Sequence, residues 1–157
     1  MDREGKDMGQ YRVNIASPNL VNICIDVIAE GEYSGRIYDK YEEGSVPFRD
    51  SGQMISVLDR FFDALDYPQA STRYRSFQRP KKGEPSPSGK KEGLVQVHTA
   101  EEILEHKGKE ATFILNVQFR QNSTWQGKLI WVEAEDEEPF CSVLELLKLL
   151  DSALMRE

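Results

Sequence analysis

The sequence predicts an α+β fold of two internally duplicated β-β-α units. They form an antiparallel sheet with two amphipathic helices on one face. Three observations carry this reading. Apolar and polar residues alternate with period two in two stretches, Val21 to Val27 and Phe113 to Phe119. Each stretch is followed by a Pro-Phe step and an amphipathic helix, in SVPFRDSGQMISVLDRFFDAL and again in EEPFCSVLELLKLLDSAL. The two halves superpose at an offset of 92 residues without a gap.

Residues 1–10 are polar and charged and are expected to be a flexible tail. The first unit spans 11–68. Tyr11, Val13 and Ile15 alternate with polar neighbours and predict a short opening strand, and Ser17 to Asn19 turn the chain. Val21, Ile23, Ile25 and Val27 then alternate with Asn22, Cys24 and Asp26, which predicts a strand with one buried face. AEGEYSG holds a turn and GRIYDKY returns as the partner strand. Asp50 or Ser51 is the expected cap of the first helix, with Gln53 three residues after Asp50. Ile55, Leu58, Phe61, Phe62 and Leu65 make its apolar stripe, and Pro68 stops it.

Residues 69–93 read as a basic, Pro/Gly-rich linker. Residues 94–157 then hold a short strand and helix followed by the second β-β-α unit, and both units are expected to form one domain. LVQV is the short strand. HTAEEILEHKG is the short helix, with Thr99 as cap, Glu102 completing the capping box and Gly108 ending it. At the same offset, Val21, Ile23, Ile25 and Val27 fall on Phe113, Leu115, Val117 and Phe119. Tyr33 falls on Trp125, Gly35 on Gly127, and Pro47-Phe48 on Pro139-Phe140. The last helix starts at the S-x-x-E box of Ser142 and Glu145, and Val143, Leu146, Leu147, Leu149, Leu150 and Leu154 form its stripe. The acidic run Glu133, Glu135, Asp136, Glu137 and Glu138 is expected as a loop that favours the positive end of this helix.

Composition narrows the class. A hydrophobic share of 39% suffices for a core, and no apolar run approaches the roughly 20 residues that cross a bilayer. The charged N-terminus lacks an apolar segment of the secretory type, so a cytoplasmic protein with no membrane partner is expected. Cys24 and Cys141 are then expected to stay unbridged. Charge is uneven. Residues 69–93 carry seven basic side chains against two acidic ones, leaving −12 on the rest of a chain whose total is −7.

Catalytic signatures are absent from the sequence: there is no Gly-rich phosphate loop, G-x-S-x-G, H-E-x-x-H or CxxC. Neither catalytic residue, metal site nor cofactor is assigned. Glu102 and His106 stand four apart on the short helix, but no third or fourth ligand completes a metal pattern. The acidic run lacks the glycine and spacing of a calcium loop. Two stretches invite binding. In TRYRSFQRPKK, Arg73, Arg75, Arg79, Lys81 and Lys82 interleave with Tyr74 and Phe77, the chemistry that holds single-stranded nucleic acid. In the second unit, Ile130 and Val132, joined by Ile114, point away from the core if Leu129 and Trp131 point into it. On a half-solvated sheet they form an exposed apolar patch suited to a protein partner. The alternative is that the short helix or another segment covers them.

FRQNSTWQGKLIWVE followed by SVLELLKLLDSAL resembles a group of short uncharacterised bacterial proteins. They share an acidic body, a hydrophilic middle segment and this C-terminal unit. The resemblance covers most of the chain outside the linker and is strongest from Phe119 to Leu154. It brings no activity, cofactor or catalytic residue. It implies a small accessory protein of the kind associated with mobile elements.

The expected function is a non-enzymatic protein-binding or adaptor module. The alternatives are a nucleic-acid-associated protein using the basic linker, and an acidic inhibitor of anti-defence type that blocks a nucleic-acid-binding partner.

Overall fold

β-Branched and aromatic residues in alternation favour strands, and the chain builds its sheet from such stretches in both halves. A computed structural model describes residues 14–70, Phe77 and residues 94–155. The first half holds β1 (Val21–Ala29), β2 (Glu32–Tyr38), β3 (Val46–Phe48) and α1 (Ser51–Leu65). The second holds α2 (Ala100–Leu104), β4 (Ala111–Phe119), β5 (Gln126–Trp131), β6 (Asp136–Phe140) and α3 (Val143–Leu154). The fold is α+β. Its six strands form one antiparallel sheet in the order β3-β2-β1-β4-β5-β6.

Each β-β-α unit gains a third strand between its hairpin and its long helix. β3 is too short for a readable alternation, and β6 takes in the end of the acidic run, Asp136 to Glu138, as an edge strand, while Glu133 and Glu135 lie in the turn before it. Neither Ile15 nor residues 94–97 lie in a strand among the described residues. Asn14 to Ser17 form a turn closed by the Ser17 amide on the Asn14 carbonyl at 3.1 Å, while Tyr11 and Val13 lie outside the described residues. Residues 94–97 are held instead at one point: the Val97 and His98 amides both donate to the Lys40 carbonyl, at 2.7 and 3.0 Å.

β1 is not one-faced. Val21 to Ile25 are all buried, because the strand is central and both of its faces are covered. Past Ile25 a bulge breaks the register with β2. It turns Val27 outward, to 53% exposure, and leaves Ile28 half-buried against the core. β4 does the same between Val117 and Phe119, and Phe119 is 54% exposed. The β1–β2 turn is Glu30-Gly31 with φ of 54° and 75°, the left-handed pair that suits a two-residue hairpin.

Two clusters of buried side chains result. The first joins Val21, Ile23, Ile25, Phe113, Leu115 and Val117 to Met54, Leu58 and Phe62 of α1 and to Leu146, Leu150 and Leu154 of α3. Trp125 meets Phe62 edge-on, with ring centroids 5.2 Å apart. Met54 is a core residue that the expected stripe omits; Met54, Leu58 and Phe62 keep strict i, i+4 spacing. The second cluster gathers Leu20, Ala100, Ile103, Ile114 and Ile130.

Both long helices start alike. Asp50 Oδ1 accepts the Gln53 amide at 2.7 Å, and Ser142 Oγ accepts the Glu145 amide at 3.0 Å. The next free amides, of Ser51 and Val143, donate to the hairpin side chains of Glu32 and Thr124 at 3.0 and 2.8 Å. The C-terminus of α1 is gripped by buried Arg120, which donates to the Pro68 and Phe62 carbonyls and pairs with Asp63 at 2.6 Å. The short helix α2 has the full Thr99–Glu102 capping box, but it ends at Glu105 and not at Gly108.

Gly35 and Gly127 sit where neighbouring strands approach most closely. A Cβ at Gly35 would collide with the Cys24 carbonyl, and one at Gly127 with the Asn116 carbonyl. Gly127→Ala is expected to cost about 2–3 kcal/mol in denaturant unfolding. Gly44→Ala, whose methyl meets open space, should change stability by less than about 0.5 kcal/mol.

Candidate functional site

The expected apolar patch is not on the surface. Ile114 and Ile130 are 1% and 0% exposed, and Val132 is half-buried against them. Ala100, Ile103 and Leu104 of α2, with Leu20, Ile15 and Tyr38, pack over them. The apolar side of α2 needs a surface to bury, and these residues supply it. Arg73, Tyr74, Arg75, Arg79, Lys81 and Lys82 lie outside the described residues; Phe77 is described and exposed.

The Glu102–His106 spacing makes no ligand pair. α2 stops before His106, and Glu102 turns back to His98 at 3.1 Å. That contact holds the His98 ring above its usual pKa and the Glu102 carboxyl below its own. His106 instead stacks on Tyr38, with ring centroids 3.7 Å apart and planes 1° from parallel. Among the described residues no group of His, Cys, Asp or Glu is arranged to hold a metal ion.

Beside this stack lies a two-pronged charged pair. Arg36 donates to both Asp26 oxygens, at 2.7 and 3.1 Å, and also to the Tyr38 hydroxyl and the Lys107 carbonyl. The Arg36 hydrogen bonds hold the Asp26 carboxyl below the usual range. With its donors spent on the protein, this guanidinium serves to join β1, β2 and the chain after α2. Cys24 lies close by but is buried, and burial pushes its thiol up to about 11. A thiol so placed is no nucleophile at neutral pH. Cys141 is exposed and unbridged, and its hydrogen bond with Glu145 also raises its pKa.

Two of the clefts beside the helices bear on the sheet and its turns. One of about 230 Å³ lies among Ile55, Ser56 and Asp59 of α1, Ser123 to Trp125 of the β4–β5 turn, and Val143. Burial, with the Asp63 charge added to it, raises the Asp59 carboxyl above its ordinary value, against the pull of Arg120. The other cleft, of about 270 Å³, lies between α3 and the acidic edge of the sheet. Phe113, Leu129 and Trp131 form its floor, Asp136 and Glu138 of β6 stand on one side, and Leu149, Ser152 and Ala153 of α3 on the other. Trp131 stacks on Phe113 at 6.2 Å. Strand alternation puts Asp136 and Glu138 on the same side of β6. Sequence reasoning misses this site because it takes the acidic run for a loop. Its legible signals are the i, i+2 carboxylates and the small Ser152-Ala153 pair in an otherwise leucine-rich helix.

No family model, curated protein or solved structure matches the chain.

Ile130→Asp is expected to lose the fold itself. An unpaired carboxylate in the second cluster should cost about 3–5 kcal/mol, read as a collapse of the thermal transition. For Asp59, the raised pKa means that the protonated form stabilises the fold. That contribution is present in acid and is lost as pH rises through the folded-state value. Asp59→Asn should therefore stabilise the fold at pH 7 by less than about 1 kcal/mol after solvent screening, read as a higher melting temperature, with the gain fading towards pH 3.

Proposed function

We propose that the chain is a non-enzymatic protein-binding module built by duplication of one β-β-β-α unit, and that its second half carries the binding surface. The observation that carries this reading is β6. It is an edge strand with three successive carboxylates, Asp136, Glu137 and Glu138, beside an open cleft under α3. Such a surface suits a basic partner. An acidic inhibitor that occupies the nucleic-acid-binding face of another protein is the form of this activity that the charge favours. The resemblance to short bacterial proteins fits the same reading, with a cytoplasmic, mobile-element accessory role.

Several features support duplication. The bulges of β1 and β4 recur at the 92-residue offset, as do the close-packed glycines and the side chains that bind the first helix amides. The β1–β4 register has the same symmetry. Asn22 pairs with Ile114, its own equivalent, and the pair Val21↔Leu115 maps onto Ile23↔Phe113. That α1 and α3 share one core cluster supports their lying on one face of the sheet.

A second reading, nucleic-acid binding through Arg73 to Lys82, rests on the cations of that segment and the interleaved Tyr74 and Phe77 in the sequence. One experiment separates the two. Tagged protein is captured from native lysate with and without nuclease, beside a variant carrying Asp136→Asn, Glu137→Gln and Glu138→Gln. A protein companion should survive nuclease and fall at least about tenfold on the variant. Recovery of nucleic acid alone, lost on nuclease treatment or at raised salt, would replace the proposal with the second reading.

A further inference from the structure

The cleft under α3 differs from its counterpart in the first half in a way that specifies a ligand. At the 92-residue offset, Ser152 and Ala153 correspond to Arg60 and Phe61, and Asp136 and Glu138 correspond to Gly44 and Val46. In the first half Phe61 packs against the core, with its ring centroid 6.0 Å from Tyr41 and 5.6 Å from Phe62. In the second half the same position is an alanine that lines the cleft. Tyr41 itself corresponds to Glu133. Around this cleft of about 270 Å³ Phe61 is thus replaced by an alanine and Gly44 and Val46 by carboxylates, while at its floor Val21 and Asp39 are replaced by the aromatic rings of Phe113 and Trp131.

The lining specifies the chemistry. The floor of Phe113, Leu129 and Trp131 is apolar and aromatic, and the carboxylates of Asp136 and Glu138 stand at its β6 side. A group that satisfies both has an apolar stem and a cationic head. Arginine and lysine side chains have this form, and an aromatic floor attracts the cation as well. The volume takes one such side chain and not a folded element.

We infer that the cleft between β6 and α3 receives an arginine or lysine side chain from a basic peptide segment of a partner protein. The inference rests on the protein-binding reading above and names what that surface recognises. The stem lies on Trp131, and the head pairs with Asp136 and Glu138.

The test uses the full chain and a blocked alanine peptide with one central arginine. Its control replaces the arginine with citrulline, which keeps the shape and removes the charge. The reporter is the indole N–H resonance of Trp131, one of two tryptophans in the chain. Saturable shifts of that resonance are expected with the arginine peptide and not with the citrulline peptide. Asp136→Asn with Glu138→Gln should weaken binding at least about tenfold, and so should Ala153→Phe, which restores the side chain of the first half. Thermal melts establish that each variant folds. If Ala153→Phe does not fold, the charge variant and the citrulline control still decide.

Equal binding of the citrulline peptide, or undiminished binding by folded Ala153→Phe, overturns the inference. So does a dimer of the free protein that dissociates on Asp136→Asn with Glu138→Gln, since the occupant is then a second copy. The wider reading fails separately: if lysate capture yields nucleic acid alone, the module is not a protein binder, whatever the peptide does. Capture that survives nuclease while the titration fails leaves the protein-binding reading and removes this site.

Discussion

The pairing of β1 with β4, from Val21↔Leu115 to Ile25↔Ala111, joins the two halves of the sheet. All ten residues in it are buried. Each large aliphatic side chain so buried contributes about 1.5–3 kcal/mol. Its outer face is sealed by polar side chains that reach backbone carbonyls. Asn22 Nδ2 donates to the Ile103 and His106 carbonyls at 2.7 and 2.9 Å, and Asn19 Nδ2 to the Val117 carbonyl at 2.8 Å. Lys40 Nζ holds the Ile15 and Ser17 carbonyls at 3.0 Å each, and burial lowers its pKa. The chain between the paired strands includes the basic segment, so the central contact closes a long loop. Its entropic cost grows slowly with length, which is why a polar insertion is tolerated there.

Much of this was legible in the residues. Period-two alternation located β1 and β4, and side-chain capping patterns located all three helices, because these signals depend on local chemistry. What failed to show depends on tertiary context. The bulges invert the phase at Val27 and Phe119, and no residue there announces them. β6 was hidden because carboxylates are poor strand formers, yet an edge strand leaves them in water. Ile130 could be read as surface or core with equal justice. The answer came from α2, whose apolar residues lay 26 to 30 positions away. Of the candidate site, the acidic run was visible in sequence; the cleft beside it was not, since it needs α3 and β6 placed together.

The two halves share a scaffold and differ in what they hang on it. Tyr33 and Trp125 both plug the first core cluster beside matching turns. α2 belongs to the second half and supplies part of the second cluster. Beside α1 Phe61 and Tyr41 pack together, whereas at the matching place beside α3 a cleft is lined with the carboxylates of Asp136 and Glu138. The parts that keep the fold are the paired strands, the close-packed glycines and the caps. The parts that vary sit on the outer strand and the exposed side of a helix, where change costs little stability.

Pro47 and Pro139 occupy the same place in the two outermost strands, opposite Arg36 and Lys128. A proline has no N–H to offer, so each border of the sheet lacks one of the donors that a further strand would bind. On β6 three carboxylates add mutual repulsion to any copy of itself. These borders are poor templates for the edge-to-edge pairing from which fibrils grow.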